Sequence, residues 1–129
     1  SYFCGMPDDT YMKAYEALVR ILDEAAPLLR PRTAASDIYS FINQRLGDAG
    51  YGPLPHHAGH GLGYRWYEAP YFIEDCTMPL QEDMFVTLEP GIYIPERFGL
   101  RLENNYRVTK DGGIDIFNYK QSIEDFIIE

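Results

Sequence analysis

Gly50-Tyr51-Gly52-Pro53-Leu54-Pro55-His56-His57-Ala58-Gly59-His60-Gly61-Leu62-Gly63 is the point where one kind of sequence gives way to another. Upstream of it, apolar residues recur at helical spacing. Downstream, the runs are short and rich in glycine, proline, aromatic and β-branched residues. The change predicts two helices followed by a mostly antiparallel sheet, an α+β arrangement within one domain. A chain of 129 residues has room for one real core and no second.

Asp8-Asp9-Thr10, after Pro7, offers short polar caps and acidic charge where a helix dipole favours them. Tyr11, Tyr15, Leu18, Leu22, Ala25 and Leu29 then form one stripe at three- and four-residue spacing. Pro27 predicts an altered last turn, and Arg30-Pro31 ends the element. Thr33 is the expected cap of a second helix, whose stripe is Ile38, Ile42 and Leu46 and whose end falls at Gly47 to Gly50.

Strands are expected over residues 54–60, 65–69, 84–94, 100–109 and 114–119, with Asp111-Gly112-Gly113 as a hairpin turn. Residues 75–82 read as a loop, and 121–129 are ambiguous in period. Ser1 to Gly5 has strand-like aromatics running into a turn, so it reads as the end of an element that begins upstream.

The formal net charge of -9 argues against non-specific nucleic-acid binding, which needs a basic footprint. Cys4 and Cys76 lie far apart and suit neither a disulfide framework nor a structural zinc knot. No apolar run is long enough for a membrane span, and no signal peptide is visible; a cytoplasmic location is the default expectation.

Three stretches could carry chemistry. All three histidines of the chain fall within residues 56–60, among glycines that let the backbone come close to a ligand or another strand. In an extended segment His56 and His60 share a face and His57 points the other way. Glu89 ends an apolar strand before Pro90, on the same face as Thr87; taken alone, a solvated strand edge is the reading it favours. Arg101, Glu103 and Asn105 share the third face, where Arg101 could orient a carboxylate or simply pair with Glu103 along the ladder. Together they suggest a metal site with His60, Glu89 and Glu103 as ligands, suited to manganese, iron, cobalt or zinc.

The ordered set His56-x-x-Gly59-His60-Gly61-Leu62-Gly63, Glu68-x-Pro70, Glu89-Pro90-Gly91-Ile92-Tyr93 and Arg101-x-Glu103-Asn104 resembles the pita-bread metallopeptidases. That family includes methionine aminopeptidase, aminopeptidase P, prolidase and creatinase, and the Xaa-Pro peptidases are nearest. The resemblance implies a curved antiparallel sheet and hydrolysis of a peptide bond by metal-activated water. It also implies His60, Glu89 and Glu103 as metal ligands, with two aspartates completing a two-ion site in the intact protein. His56 matches a histidine near the substrate, and Glu89 would assist deprotonation of the attacking water. Catalytic roles are thus expected of His56, Glu89 and Tyr67, and substrate contacts of His56, Tyr67 and Arg101. His57 is left as structural.

Two departures accompany the likeness. Tyr67 stands where the family usually has a histidine, and tyrosine is a poor general base near neutral pH. The two ligand aspartates of the family come from a hairpin upstream of the first helix, whereas Asp8 and Asp9 follow it and read as helix caps. Residues 1–129 are therefore expected to be an incomplete pita-bread domain, inactive alone and holding at most one weakly bound ion. Two alternatives stay open: a creatinase-like enzyme or lyase acting on a small zwitterion, and a non-catalytic binding module. The expected partners are a peptide or other small amide and, through an exposed strand edge, a second copy in a homodimer.

Overall fold

The computed structural model describes residues 3–117 and 122–128. A short strand β1 (Phe3–Cys4) leads into helix α1 (Asp9–Ala25), a 3-10 turn (Ala26–Leu28) and helix α2 (Ala35–Asp48). Strands β2 (His60–Leu62), β3 (Glu68–Tyr71), β4 (Phe85–Leu88), β5 (Gly91–Ile94), β6 (Phe98–Arg101), β7 (Asn104–Thr109) and β8 (Gly112–Asp115) follow. A second 3-10 turn (Ile123–Phe126) and β9 (Ile127–Ile128) come last. The α+β order expected from the sequence is the order found. No helix among the described residues is long and apolar enough to cross a membrane.

The first helix forms as its sequence dictates. Asp8 Oδ1 accepts from the backbone N–H of Thr10 at 2.8 Å and of Tyr11 at 2.9 Å, so two of the orphan donors at the helix start are satisfied. Tyr15, Leu18, Leu22, Ala25 and Leu29 are buried as the stripe requires, and Tyr11 packs at its margin. Pro27 sits in the 3-10 turn, its predicted consequence.

The second helix starts differently from expectation. Its cap is Ala34, and Thr33 gives no side-chain cap. The first N–H groups of α2 go instead to the loop carbonyls of Met78 and Cys76, at 3.0 and 2.8 Å. Thr33 offers its own carbonyl to Leu80 N–H at 2.8 Å. Tertiary pairing of the 75–82 loop has taken over the capping role. The helix ends with Gly50 at φ +84, the left-handed ending its glycine permits.

Five strands form one antiparallel sheet in the order β3-β2-β4-β7-β8, and β5 pairs β6 in a separate ladder. Ile38, Ile42 and Leu46 of α2 and Leu18 and Leu22 of α1 share a core with Val86, Leu88 and Val108 of the sheet. β1 pairs parallel with β9, Phe3 opposite Ile127, so residues 3 and 4 do find a strand partner.

Two expected long strands are each broken. Residues 84–94 divide into β4 and β5 at Glu89-Pro90, and residues 100–109 divide into β6 and β7 at Leu102-Glu103. The breaks face one another: Leu102 N–H donates to Pro90 C=O at 3.2 Å, while the ladders on either side place Leu88 opposite Asn104 and Gly91 opposite Arg101. Pro90 has no N–H to give to a ladder, which explains an interruption there. Residues 54–59, expected as strand, are irregular; β2 begins only at His60. The strand expected at 65–69 runs Glu68–Tyr71, and that at 114–119 is Gly112–Asp115, its last two expected residues lying outside the described ones.

Candidate metal and peptide site

The site assembles where the broken strands meet the irregular loop. The loop is pinned by three backbone bonds: Ala58 N–H to Phe72 C=O at 2.8 Å, Phe72 N–H to Gly59 C=O at 3.0 Å, and Glu89 N–H to Ala58 C=O at 2.7 Å. Gly59 is essential to this pinning. Its φ is +151, and a Cβ there would collide with the Thr87 carbonyl oxygen.

A relay of hydrogen bonds fixes the two central side chains. His60 N–H donates to Thr87 Oγ1 at 3.1 Å, and the Thr87 hydroxyl donates to Glu89 Oε1 at 2.8 Å. His60 Nε2 lies 3.1 Å from the same Glu89 Oε1. His60, Thr87 and Glu89 are all buried, each at 5% exposure or less. Burial overturns the solvated-edge reading of Glu89. The carboxylate takes donors, as a buried charge must.

The His60 ring is oriented from its far side. Its Nδ1 lies 2.9 Å from the Gly61 carbonyl, so Nδ1 is the donor there and Nε2 turns its lone pair towards Glu89. Two acceptors then meet at 3.1 Å, which is favourable only with a proton or a cation between them. An imidazole tied to a backbone carbonyl in this way is the usual posture of a metal ligand.

Glu103 and Arg101 complete the surroundings of Glu89. Arg101 Nη1 lies 3.9 Å from Glu89 Oε2, so the arginine serves the buried carboxylate. Partial withdrawal from water holds the Glu103 carboxyl above its ordinary range, the Glu89 charge pushes the same way, and Arg101 and His60 act against both. Among the described residues no three His, Cys, Asp or Glu side chains are grouped closely enough to hold an ion. His60 and Glu89 meet; Glu103 reaches them through charge. In donor type the three fit a divalent cation, and in charge they supply half of what two such ions require.

His56 stands one step out. Its Nε2 lies 2.6 Å from Tyr93 Oη, and its Nδ1 lies 2.6 Å from the His57 carbonyl. Burial raises the Tyr93 hydroxyl above the usual tyrosine range, and the Glu89 charge adds to this while Arg101 opposes it. Tyr93 therefore stays protonated and donates to His56, whose Nδ1–H donates to the carbonyl. Tyr67, which stands where the family usually has a histidine, packs its ring 4.7 Å from that of His60.

The structure differs from the sequence reading at His57. A regular strand would turn it away, yet its ring lies 5.5 Å from His60, 5.8 Å from His56 and 5.4 Å from Tyr67. The loop is irregular, so alternation does not apply to it. Desolvation holds the His57 imidazole below the usual histidine range, Glu89 pulling the other way. Sequence reasoning also passed over Thr87 and Tyr93 as functional side chains. Thr87 was placed on the Glu89 face, which was the available signal; nothing in the spacing linked Tyr93 to His56.

A helix pair on an antiparallel sheet, with histidine and glutamates at a strand break, defines the class as a pita-bread metallopeptidase domain. Residues 1–110 match the metallopeptidase family M24. The chain belongs to that family. It is 33% identical over 119 residues to the Probable dipeptidase PepE of Mycobacterium tuberculosis, covering 92% of this chain and 32% of that protein. It is 32% identical over 109 residues to the Xaa-Pro dipeptidase of Pyrococcus horikoshii, covering 84% of this chain and 31% of that one. Among solved structures, the X-Pro aminopeptidase of Thermotoga maritima superposes with a TM-score of 0.90 at 25% identity, over 98% of this chain and 36% of that chain. The prolidase of Pyrococcus horikoshii gives 0.85 at 29% identity, over 92% and 35%. The chain thus spans about a third of the length of these relatives.

Proposed function

We propose that this chain is the carboxyl-terminal part of the catalytic domain of a metal-dependent hydrolase acting on Xaa-Pro peptides. The His60–Glu89 pair carries the reading: a carbonyl-tied imidazole and a buried carboxylate meet at 3.1 Å, a contact that a proton or a cation between them would make favourable. His60, Glu89 and Glu103 would hold the metal (manganese, cobalt, iron or zinc), and two aspartates would come from elsewhere in the intact protein. A divalent ion, when bound, supplies Lewis acidity towards the scissile carbonyl and a nucleophilic hydroxide at neutral pH.

The chain's own residues do the rest. Glu89 Oε2 is free of the Thr87 bond and is placed to take a proton. Arg101 offsets the charge of that carboxylate from 3.9 Å, and Tyr93 fixes the His56 ring through its hydroxyl. Tyr67 forms the adjoining wall beside His60 and presents a hydroxyl rather than an imidazole to a bound peptide. The proteins named as Xaa-Pro dipeptidase, X-Pro aminopeptidase and prolidase support this substrate class.

One observation favours a second reading, a non-catalytic binding module: no three ligating side chains are grouped among the described residues. The two readings part in one experiment. The full-length protein is incubated with alanyl-proline in the presence of manganese, and again after chelation. Turnover that is lost on chelation and in Glu89→Gln supports the hydrolase. Peptide binding without turnover under any metal supports the binding module.

A further inference from the structure

Strands β5 and β6 pair Gly91 with Arg101 and Tyr93 with Gly99. Glycine inside a strand weakens it, and it marks places where another group comes close to the backbone. Neither Gly91 nor Gly99 takes a positive φ, so the backbone angles do not call for glycine at either position. The Tyr93 ring does. A Cβ on Gly91 would stand 2.6 Å from Tyr93 Oη and 2.8 Å from its Cε2, and a Cβ on Gly99 would stand 3.0 Å from its Cδ1. The ring therefore lies in a slot between two bare positions, one on its own strand and one on the facing strand. From that seat the hydroxyl reaches His56 Nε2 at 2.6 Å and accepts from the Arg101 guanidinium, which in turn lies 3.9 Å from Glu89 Oε2.

We infer that Gly91 and Gly99 are positioning residues: their bare backbone seats the Tyr93 ring so that its hydroxyl joins His56, on the substrate side, to Arg101 and the buried Glu89. The assignment rests on the peptide-hydrolase reading above and deepens it, because it names what sets the place of the loop histidine. The three atoms nearest to an added Cβ at Gly91 all belong to the hydroxyl end of Tyr93. That end can swing outward, since Tyr93 is 43% exposed, while the β5–β6 ladder stays paired. An alanine there thus displaces a hydroxyl and leaves the fold in place. A purely structural glycine would show the opposite, a weaker fold with the hydroxyl still on His56.

The full-length protein is compared with Gly91→Ala, Gly99→Ala, Tyr93→Phe and the double variant of Gly91→Ala with Tyr93→Phe. For alanyl-proline in the presence of manganese, kcat of Gly91→Ala is expected to fall about tenfold, as in Tyr93→Phe. Gly99→Ala should lose less, because its methyl group meets a ring carbon at 3.0 Å and not the hydroxyl. The double variant should be no slower than Tyr93→Phe alone, since no hydroxyl remains to be displaced. Urea midpoints should not fall in either alanine variant. A second readout needs no turnover. In protein labelled with ¹⁵N at histidine, the His56 Nε2 resonance should move in Gly91→Ala in the same direction as in Tyr93→Phe. Where the wild-type protein turns over the peptide, an unchanged kcat or an unmoved resonance in Gly91→Ala overturns the inference and leaves the hydrolase reading standing. Losses that multiply in the double variant, or a urea midpoint that falls with kcat, overturn it as well. A moved resonance in a protein without turnover keeps the seat of Tyr93 and sinks the hydrolase reading. Neither turnover nor a moved resonance overturns both.

Discussion

Tyr93 Oη lies 2.6 Å from His56 Nε2, although the two residues are 37 positions apart in the chain. The bond crosses from the irregular loop to β5 and fixes the tautomer of His56, because the other ring nitrogen donates to the His57 carbonyl. A loop histidine becomes an oriented one through a strand residue.

Tyr93→Phe deletes that bond, together with the hydrogen bond between Tyr93 and Arg101. Hydrolysis of an Xaa-Pro dipeptide by the full-length protein should fall about tenfold in kcat, with metal content unchanged. Steady-state kinetics beside metal analysis checks this. An unchanged kcat would mean that the His56 orientation does not matter to turnover.

Thr87→Val is close in size and removes one hydroxyl that serves two partners. The variant leaves His60 N–H and Glu89 Oε1 short of a bond in a buried place. A loss of about 1–3 kcal/mol of stability is expected, read from the shift of a urea melt. Metal affinity should fall about 10- to 100-fold as well, because the hydroxyl orients a ligand. A melt identical to wild type would contradict the relay.

Much of the first half was legible from residues alone. Asp8 caps α1 because a short acidic side chain precedes an apolar period, and both signals are local. The start of α2 was not legible, because its donors are met by Met78 and Cys76, some 40 residues further on. The same holds for the sheet. Pro90 was visible as a stiff point, but the facing break at Leu102-Glu103 is a property of the pairing and leaves no mark of its own. His60, Glu89 and Glu103 were picked out by the order of their motifs. His57 was misplaced because alternation was applied to a segment that Gly59 bends out of the strand.

The cap also gives a pH dependence. Asp8 has its carboxyl lowered from 3.8, chiefly by the Tyr11 backbone hydrogen bond, with Thr10 and Arg97 adding to it and burial opposing. A lowered carboxyl stabilises the fold above its unfolded value and loses that contribution as pH falls through the folded one. Asn caps as well but does not titrate. The melting temperature of wild type should therefore exceed that of Asp8→Asn near pH 6, and the gap should close as pH drops below 3.8. A gap that is constant across the range would remove the carboxylate from the cap's action.

The most direct measurement is metal content after equilibrium dialysis of the full-length protein against manganese, beside Glu89→Ala and, as a control on an exposed loop carboxylate, Glu82→Ala. If His60, Glu89 and Glu103 converge on a divalent ion, wild type and Glu82→Ala retain the same stoichiometric manganese and Glu89→Ala loses at least one equivalent. Equal manganese in all three proteins would contradict the assignment of Glu89 as a ligand, and with it the metal site on which the hydrolase reading depends.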